Sequence, residues 1–191
     1  KNGFVWTSSE QGNLDNTDVL IYKGKIQKIA KNISAPSNSI TIDATGKHIT
    51  PGIIDAHSHT GINGDVNEAA EGISSEVRIG DVVDSFDTAF YNELAGGVTT
   101  ANLLHGSANP IGGQNKVVKL KWGSIPDEMI FTEAPEGIKF ALGENVKQSN
   151  WGESNTVRYP QTRMGVEQVF YDAFIRAKEY KLEWETYYNS S

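Results

Sequence analysis

The sequence predicts an α/β chain in which a β-rich N-terminal region precedes alternating strands and helices. Two observations lead to this prediction. Over residues 1–50, short runs of strand-forming residues alternate with turn residues. From Pro51 onward the pattern changes to strand, helix and strand, which is typical of βαβ units and a parallel sheet. We therefore expect two domains, formed by residues 1–50 and 51–191.

The N-terminal region is predicted to consist of short strands joined by turns. The Lys23-Gly24 pair lies between two runs of alternating apolar residues, which indicates a tight β-hairpin turn. The predicted strands are residues 3–7, 18–22, 25–30, 39–43 and 48–50. No helical periodicity interrupts them, so this region is expected to be all-β.

The region after Pro51 contains two predicted helices. Residues 84–95 place apolar side chains at helical spacing, and Gly96-Gly97 provides a stop signal before a predicted strand at residues 98–104. Residues 163 to about 187 predict a long helix with a solvated tail. The apolar residues of the two helices are Phe86, Ala89, Phe90 and Leu94 in the first, and Val166, Val169, Phe170, Ala173, Phe174 and Ala177 in the second.

Composition and charge argue against several classes of protein. The 191 residues carry a formal net charge of −7, and the basic residues are dispersed, so nucleic-acid binding is not expected. No apolar run approaches the roughly 20 residues of a membrane-spanning helix. The absence of cysteine excludes disulfides and thiolate metal ligands, which leaves nitrogen and oxygen ligands. The compartment stays open between cytoplasmic and periplasmic or exported.

The most informative motif is residues 51–61, where an apolar run ends in His57 and His59. Residues i and i+2 of a strand face the same side, so the two imidazoles can meet one ion. A bound divalent ion lowers the pKa of its water and polarises a carbonyl, which indicates hydrolytic chemistry. The alternative is a buried pair bonded to backbone carbonyls. Asp55 shares this face, and it either orients a ligand imidazole or is satisfied by loop amides.

Several segments around this motif resemble one enzyme superfamily. The run Pro-Gly-Ile-Ile-Asp-Ala-His-Ser-His resembles the signature of the amidohydrolase superfamily, in which the His-x-His pair closes the first strand of a (β/α)8 TIM barrel. Residues 18–29 and 42–47 resemble the preceding strands of a small β-sandwich, and residues 95–100 resemble the second barrel strand. Gly112-Gly113-Gln114 and residues 137–145 resemble an imidazolonepropionase-like branch. The implied fold is the N-terminal part of such a barrel, preceded by β-sandwich strands.

The resemblance also implies a reaction, a cofactor and partners. The implied reaction is hydrolysis of a C–N bond in an amide or cyclic amide by a metal-activated water. The implied cofactor is a divalent metal, with zinc as the first choice, and one or two ions are expected. A complete barrel takes roughly 250 residues, so we expect an N-terminal portion that is inactive alone, with its catalytic aspartate outside this chain. The implied partners are a small-molecule amide or lactam substrate and the rest of the same protein; homo-oligomer formation is left open. The alternative is an inactive scaffold or a binding protein.

Lys139 interrupts residues 137–142, an apolar run that predicts a buried strand. An unpaired lysine is rarely fully buried. The resemblance implies a third metal ligand, a lysine carboxylated on its amine that bridges two metals. The alternative is a strand-end lysine that reaches solvent, or that pairs with Glu136 or Glu144.

The predicted loop 105–115 follows the second strand of the parallel pair. Its glycines allow close backbone approach, and His105, Asn109 and Gln114 offer polar groups for a substrate carbonyl or carboxylate. We therefore predict that these three residues bind substrate. A mobile surface loop is the alternative.

Overall fold

The computed structural model describes residues 1–152 and 157–190. The chain separates into two compact units, Lys1–Gly52 and Ile53–Ser191. The first unit contains strands without a helix, whereas the second mixes strands and helices. The predicted α/β class is therefore confirmed, while a TIM barrel stays a prediction.

The first unit is a four-stranded sheet with the order β3-β2-β1-β4. Strands β1 to β3 pair antiparallel, and β4 pairs parallel with β1. Lys23 and Gly24 join β2 to β3 with φ angles of 51° and 71°, the conformation that a tight hairpin turn requires. The strands are β1 (Gly3–Trp6), β2 (Asn13–Tyr22), β3 (Lys25–Ala30) and β4 (His48–Ile49).

One predicted strand of this unit is wrong. Residues 39–43 form no strand, and the side chains of Ile40 and Ile42 are 94% and 72% exposed. The alternation of apolar residues predicted a half-buried strand, but no neighbouring segment of this unit covers them. An alternation of apolar residues stabilises a strand only when its apolar face is buried against another segment.

The second unit contains a three-stranded sheet with the order β5-β6-β8 and a two-stranded antiparallel sheet of β7 and β9. Its strands are β5 (Ile53–Ser58), β6 (Val98–Leu103), β7 (Ile111–Gln114), β8 (Lys116–Lys119) and β9 (Ile138–Phe140). β5 and β6 are parallel, as the strand, helix and strand pattern predicted, and β8 is antiparallel to β6. The predicted loop 105–115 is wrong at residues 111–114, because β7 occupies that part.

A buried apolar cluster packs the helix α1 (Thr88–Ala95) against the three-stranded sheet. The cluster consists of Ile79, Val83, Phe90, Ala101, Leu103, Val118, Leu120 and Met129. The helix begins later than predicted, because the Asp87 side chain caps it by accepting the Ala89 N–H, and Phe86 lies outside it, 65% exposed. The short helix α2 (Pro126–Met129) contributes Met129.

The long helix α3 (Arg163–Asn189) begins where it was predicted and extends two residues further. Its first turns are packed, since Val166 and Val169 are buried, but Phe174 is 61% exposed. The predicted apolar face is therefore buried only near its start. Among the described helices, none combines the length and the hydropathy needed to cross a membrane.

Candidate metal centre

His57 and His59 lie at the end of β5 with their imidazoles facing each other. Their Nε2 atoms are 3.3 Å apart, and the rings are nearly perpendicular. Two nitrogens that each lie about 2.0–2.1 Å from one tetrahedral ion are separated by about 3.3 Å. The two side chains therefore already have the spacing of a ligand pair for a single ion.

The backbone at the end of β6 orients the ring of His59. Its Nδ1 lies 2.7 Å from the carbonyl oxygen of Leu104. A carbonyl only accepts hydrogen bonds, so this contact assigns the proton to Nδ1 and leaves the Nε2 lone pair available. The Leu104 N–H in turn donates to the Ser58 carbonyl oxygen at 2.9 Å. No sequence pattern indicates this carbonyl, because its position depends on the register between β5 and β6.

Lys139 of β9 reaches the same place from a distant part of the chain. Its Nζ is 3.4 Å from Nε2 of His57. The positive charge of Lys139 is the main cause that lowers the pKa of His57, and burial lowers the pKa of Lys139 itself. A lowered pKa favours the neutral imidazole, the form that binds a metal.

The strand that carries Lys139 differs from the prediction in its burial. Lys139 is partly buried, whereas Ile138 and Phe140 are 36% and 43% exposed. The prediction of a buried apolar strand is wrong, because β9 pairs with β7 alone and the lysine is on its more enclosed face. The alternative pairing with Glu144 is also wrong, since that carboxylate binds Lys147 and Arg163.

Asp55 contacts the histidine pair through the backbone. Its Oδ1 accepts a hydrogen bond from the His57 N–H at 3.0 Å. Its charge raises the pKa of His57, although less than the opposing effects lower it. This geometry corresponds to the second interpretation of Asp55, a strand-end carboxylate satisfied by an amide.

Over residues 1–152 and 157–190, no group of three or more His, Asp or Glu residues is arranged to hold a metal.

Asn109 and Gln114 both bind backbone carbonyls of the segment 68–75. Asn109 is 1% exposed and donates its two amide hydrogens to the carbonyls of Glu68 and Glu71, at 2.6 and 2.7 Å. Gln114 donates to the Ser75 carbonyl at 3.1 Å and is exposed. The Asn109 amide thus serves the fold, which differs from the substrate contact we predicted. Gln114 keeps its exposed position at the end of β7.

His105 is buried, with 5% of its surface exposed. Within the described chain neither ring nitrogen has a partner in hydrogen-bonding geometry. Burial is the main cause that lowers its pKa, and nearby backbone groups of Val66 and Gln114 act in the opposite direction. A Cβ at Gly113 would lie 2.2 Å from its Nε2, so the ring packs directly against the glycine backbone of β7.

We expect the burial of His105 to make folding sensitive to acid. Its folded-state pKa lies below the unfolded value of about 6.5, so the unfolded chain binds more protons once the pH falls below that value. The free energy of unfolding should therefore be highest above about pH 6.5 and decrease as the pH falls toward the lowered pKa. Urea unfolding from pH 8 to pH 5 measures this slope, which should be shallower in His105→Gln.

The exposed Asn92 on α1, which carries no ionisable side chain, provides the control for this experiment. Asn92→Ala should leave the pH dependence as it is in the unmodified protein. An unchanged slope in His105→Gln would contradict the assignment to the buried ring.

Comparisons with known proteins show relatives over most of this chain. No family model matches it. It is 35% identical over 182 residues to the amidohydrolase tasK of Hapsidospora irregularis, covering 85% of this chain and 18% of that protein. It is 53% identical over 51 residues to the dihydroorotase of Bacillus cytotoxicus, covering 27% of this chain and 12% of that enzyme.

A solved structure is similar over nearly the whole chain. The amidohydrolase from Thermotoga maritima superposes with a TM-score of 0.84 at 38% sequence identity, covering 97% of this chain and 48% of that one. The chain therefore spans less than half the length of each of these relatives.

Proposed function

We propose that this chain, which belongs to the amidohydrolase superfamily, forms part of a metal-dependent hydrolase. The enzyme would act on a C–N bond of an amide or cyclic amide. The observation that carries the proposal is the 3.3 Å separation between the Nε2 atoms of His57 and His59. The parallel pair β5 and β6 would then be the first two strands of a TIM barrel. The imidazolonepropionase-like branch stays a prediction.

The residues present suit a divalent ion. His57 and His59 would hold it through Nε2, and zinc is the first choice because imidazole nitrogen is among its preferred ligands. When bound, such an ion supplies an activated water and polarises the carbonyl of the substrate. The Leu104 carbonyl fixes the tautomer of His59 that this role requires.

Lys139 is the proposed third ligand, in carboxylated form. An ammonium group 3.4 Å from a ligand nitrogen would repel a metal ion. The ammonium first loses one proton; the neutral amine then forms an N–C bond with CO2 and releases a second proton, so that an anionic carbamate replaces the positive charge. The lysine would then supply oxygen to an ion that the two imidazoles bind through nitrogen. His57 and His59 are exposed to solvent, so both CO2 and substrate can reach this side of β5.

The function is tested with the complete protein, of which this chain is expected to form the N-terminal part, and a panel of amides, N-acyl amino acids, dipeptides and cyclic amides. We expect turnover of at least one member, loss of turnover with a chelator, and recovery after addition of Zn²⁺ or Mn²⁺. Turnover that persists after complete removal of metal would contradict the proposal. Bound metal without turnover of any member would favour an inactive scaffold.

The carboxylation of Lys139 is tested separately by ¹³C NMR in ¹³C-bicarbonate. We expect a carbamate signal that Lys139→Ala removes, together with a loss of turnover. The matched control is Lys119→Ala on β8, whose Nζ lies 4.0 Å from the centre of the Phe131 ring and which should keep the signal. A carbamate signal that survives Lys139→Ala would assign the modification elsewhere.

A further inference from the structure

A chain of hydrogen bonds lies behind the histidine pair. Ser58 stands between the two histidines in sequence, and strand alternation places its side chain on the opposite face of β5, where it is buried. Its Oγ donates to Oγ1 of Thr60 at 3.0 Å, and Thr60 Oγ1 donates to Oε1 of Glu93 at 2.6 Å. These bonds connect the segment that carries the histidines to helix α1.

Burying the carboxylate of Glu93 costs free energy. Its second oxygen, Oε2, is buried and has no hydrogen-bond partner among the described residues. A buried carboxylate oxygen without a partner is unfavourable, and an apolar side chain at this position of α1 would avoid the penalty. Local stability therefore does not account for an acid at this position. The hydrogen bond to Thr60 is the interaction that the carboxylate provides.

The N-cap residue of α1 and one further side chain of this helix hold the same turn. Oδ2 of Asp87 accepts the Gly61 N–H at 3.0 Å, and the ring of Phe90 lies directly against Gly61. These side chains and Glu93 are spaced three residues apart, at Asp87, Phe90 and Glu93. They therefore lie along one side of the N-terminal part of α1. Together they fix residues 60 and 61, immediately after the second histidine.

We propose that Glu93 is a positioning residue for the histidine pair. By holding the Thr60 hydroxyl it fixes the end of β5, and with it the separation of the two imidazole Nε2 atoms. The connection continues on the other side, where the Ser58 carbonyl accepts the Leu104 N–H and the Leu104 carbonyl orients His59. This inference rests on the proposed function, because positioning has a consequence only if the histidines bind a metal.

Cobalt titration of the complete protein tests the proposal, with the visible absorption of bound Co²⁺ reporting ligand geometry. Thr60→Val removes the hydroxyl at constant shape, and Glu93→Leu removes the carboxylate. Both should weaken Co²⁺ binding about ten-fold, the lower end of the loss caused by removing a direct partner of a metal ligand, and alter the spectrum, because their effect reaches the imidazoles through residues 58–60. Thr60→Ser restores the hydroxyl and should restore both affinity and spectrum. Asn92→Ala, an exposed neighbour on α1, is the control and should behave as the unmodified protein.

A second readout works without metal. Amide hydrogen exchange of the Leu104 N–H reports the bond to the Ser58 carbonyl, and it should be about ten-fold faster in Thr60→Val but unchanged in Thr60→Ser. Unaltered Co²⁺ affinity and unaltered exchange in Thr60→Val and Glu93→Leu would overturn the positioning role. Failure of the unmodified protein to bind Co²⁺ would instead overturn the proposed function, and the exchange rates would then decide the role of Glu93.

Discussion

Replacing either His57 or His59 with alanine is expected to abolish metal binding. Changes in the outer partners of metal ligands already cost about 10–100-fold in affinity, so loss of a ligand should exceed about 100-fold. The reason is geometric, because the two Nε2 atoms at 3.3 Å contribute to one ion and neither substitutes for the other. Isothermal titration with Zn²⁺ and elemental analysis of the purified variants measure the effect.

The control for these variants is His48→Ala, since His48 is an exposed histidine of the first unit. It should retain the zinc content of the unmodified protein. Equal zinc content in His57→Ala, His59→Ala and His48→Ala would show that the metal is bound elsewhere and would remove the observation on which the proposed function depends.

Replacing Gly61 with alanine is expected to destabilise the fold by about 2–5 kcal/mol. Its φ of +65° costs an L-residue about 1–2 kcal/mol, and a Cβ would lie 2.1 Å from two atoms of the Phe90 ring, an overlap that costs about 1–3 kcal/mol to relieve. Phe90 is fully buried and cannot move aside without disturbing the core. Urea unfolding measures the loss.

Gly64 provides the matched control, because its φ is +86° but its Cβ would meet open space. Gly64→Ala should therefore show the backbone cost alone. Phe90→Leu, combined with Gly61→Ala, should recover part of the loss, with a coupling energy that a double-mutant cycle measures. Equal losses for the two glycine variants would mean that contact with Phe90 is not what restricts residue 61.

Local patterns were sufficient for much of the second unit. The long helix α3 and the strand β6 follow from periodicity within each segment, and the parallel pairing of β5 with β6 follows from the order of strand, helix and strand along the chain; the structure confirms all three. The facing imidazoles of His57 and His59 follow from the period of two along a strand. In each case the information lies in neighbouring residues.

Other features depend on segments that are distant in sequence, and local patterns did not predict them. β7 exists because residues 111–114 pair with β9, so glycines that indicated a loop became strand residues with close neighbours. The role of Asn109 depends on carbonyls about 40 positions earlier. Exposed apolar residues at 39–43 illustrate the converse, since strand alternation without a partner segment produced no strand.

The separate two-stranded sheet of β7 and β9 has a consequence for the order of folding. His57 and Lys139 are 82 positions apart, whereas His59 and the Leu104 carbonyl are 45 apart. The entropy cost of closing a loop rises with the logarithm of its length, and long-range pairings form late. We therefore expect the imidazole pair, oriented by β5 and β6, to form before β9 brings the lysine into contact with it. A metal ion present during refolding would meet nitrogen ligands first and the lysine afterwards.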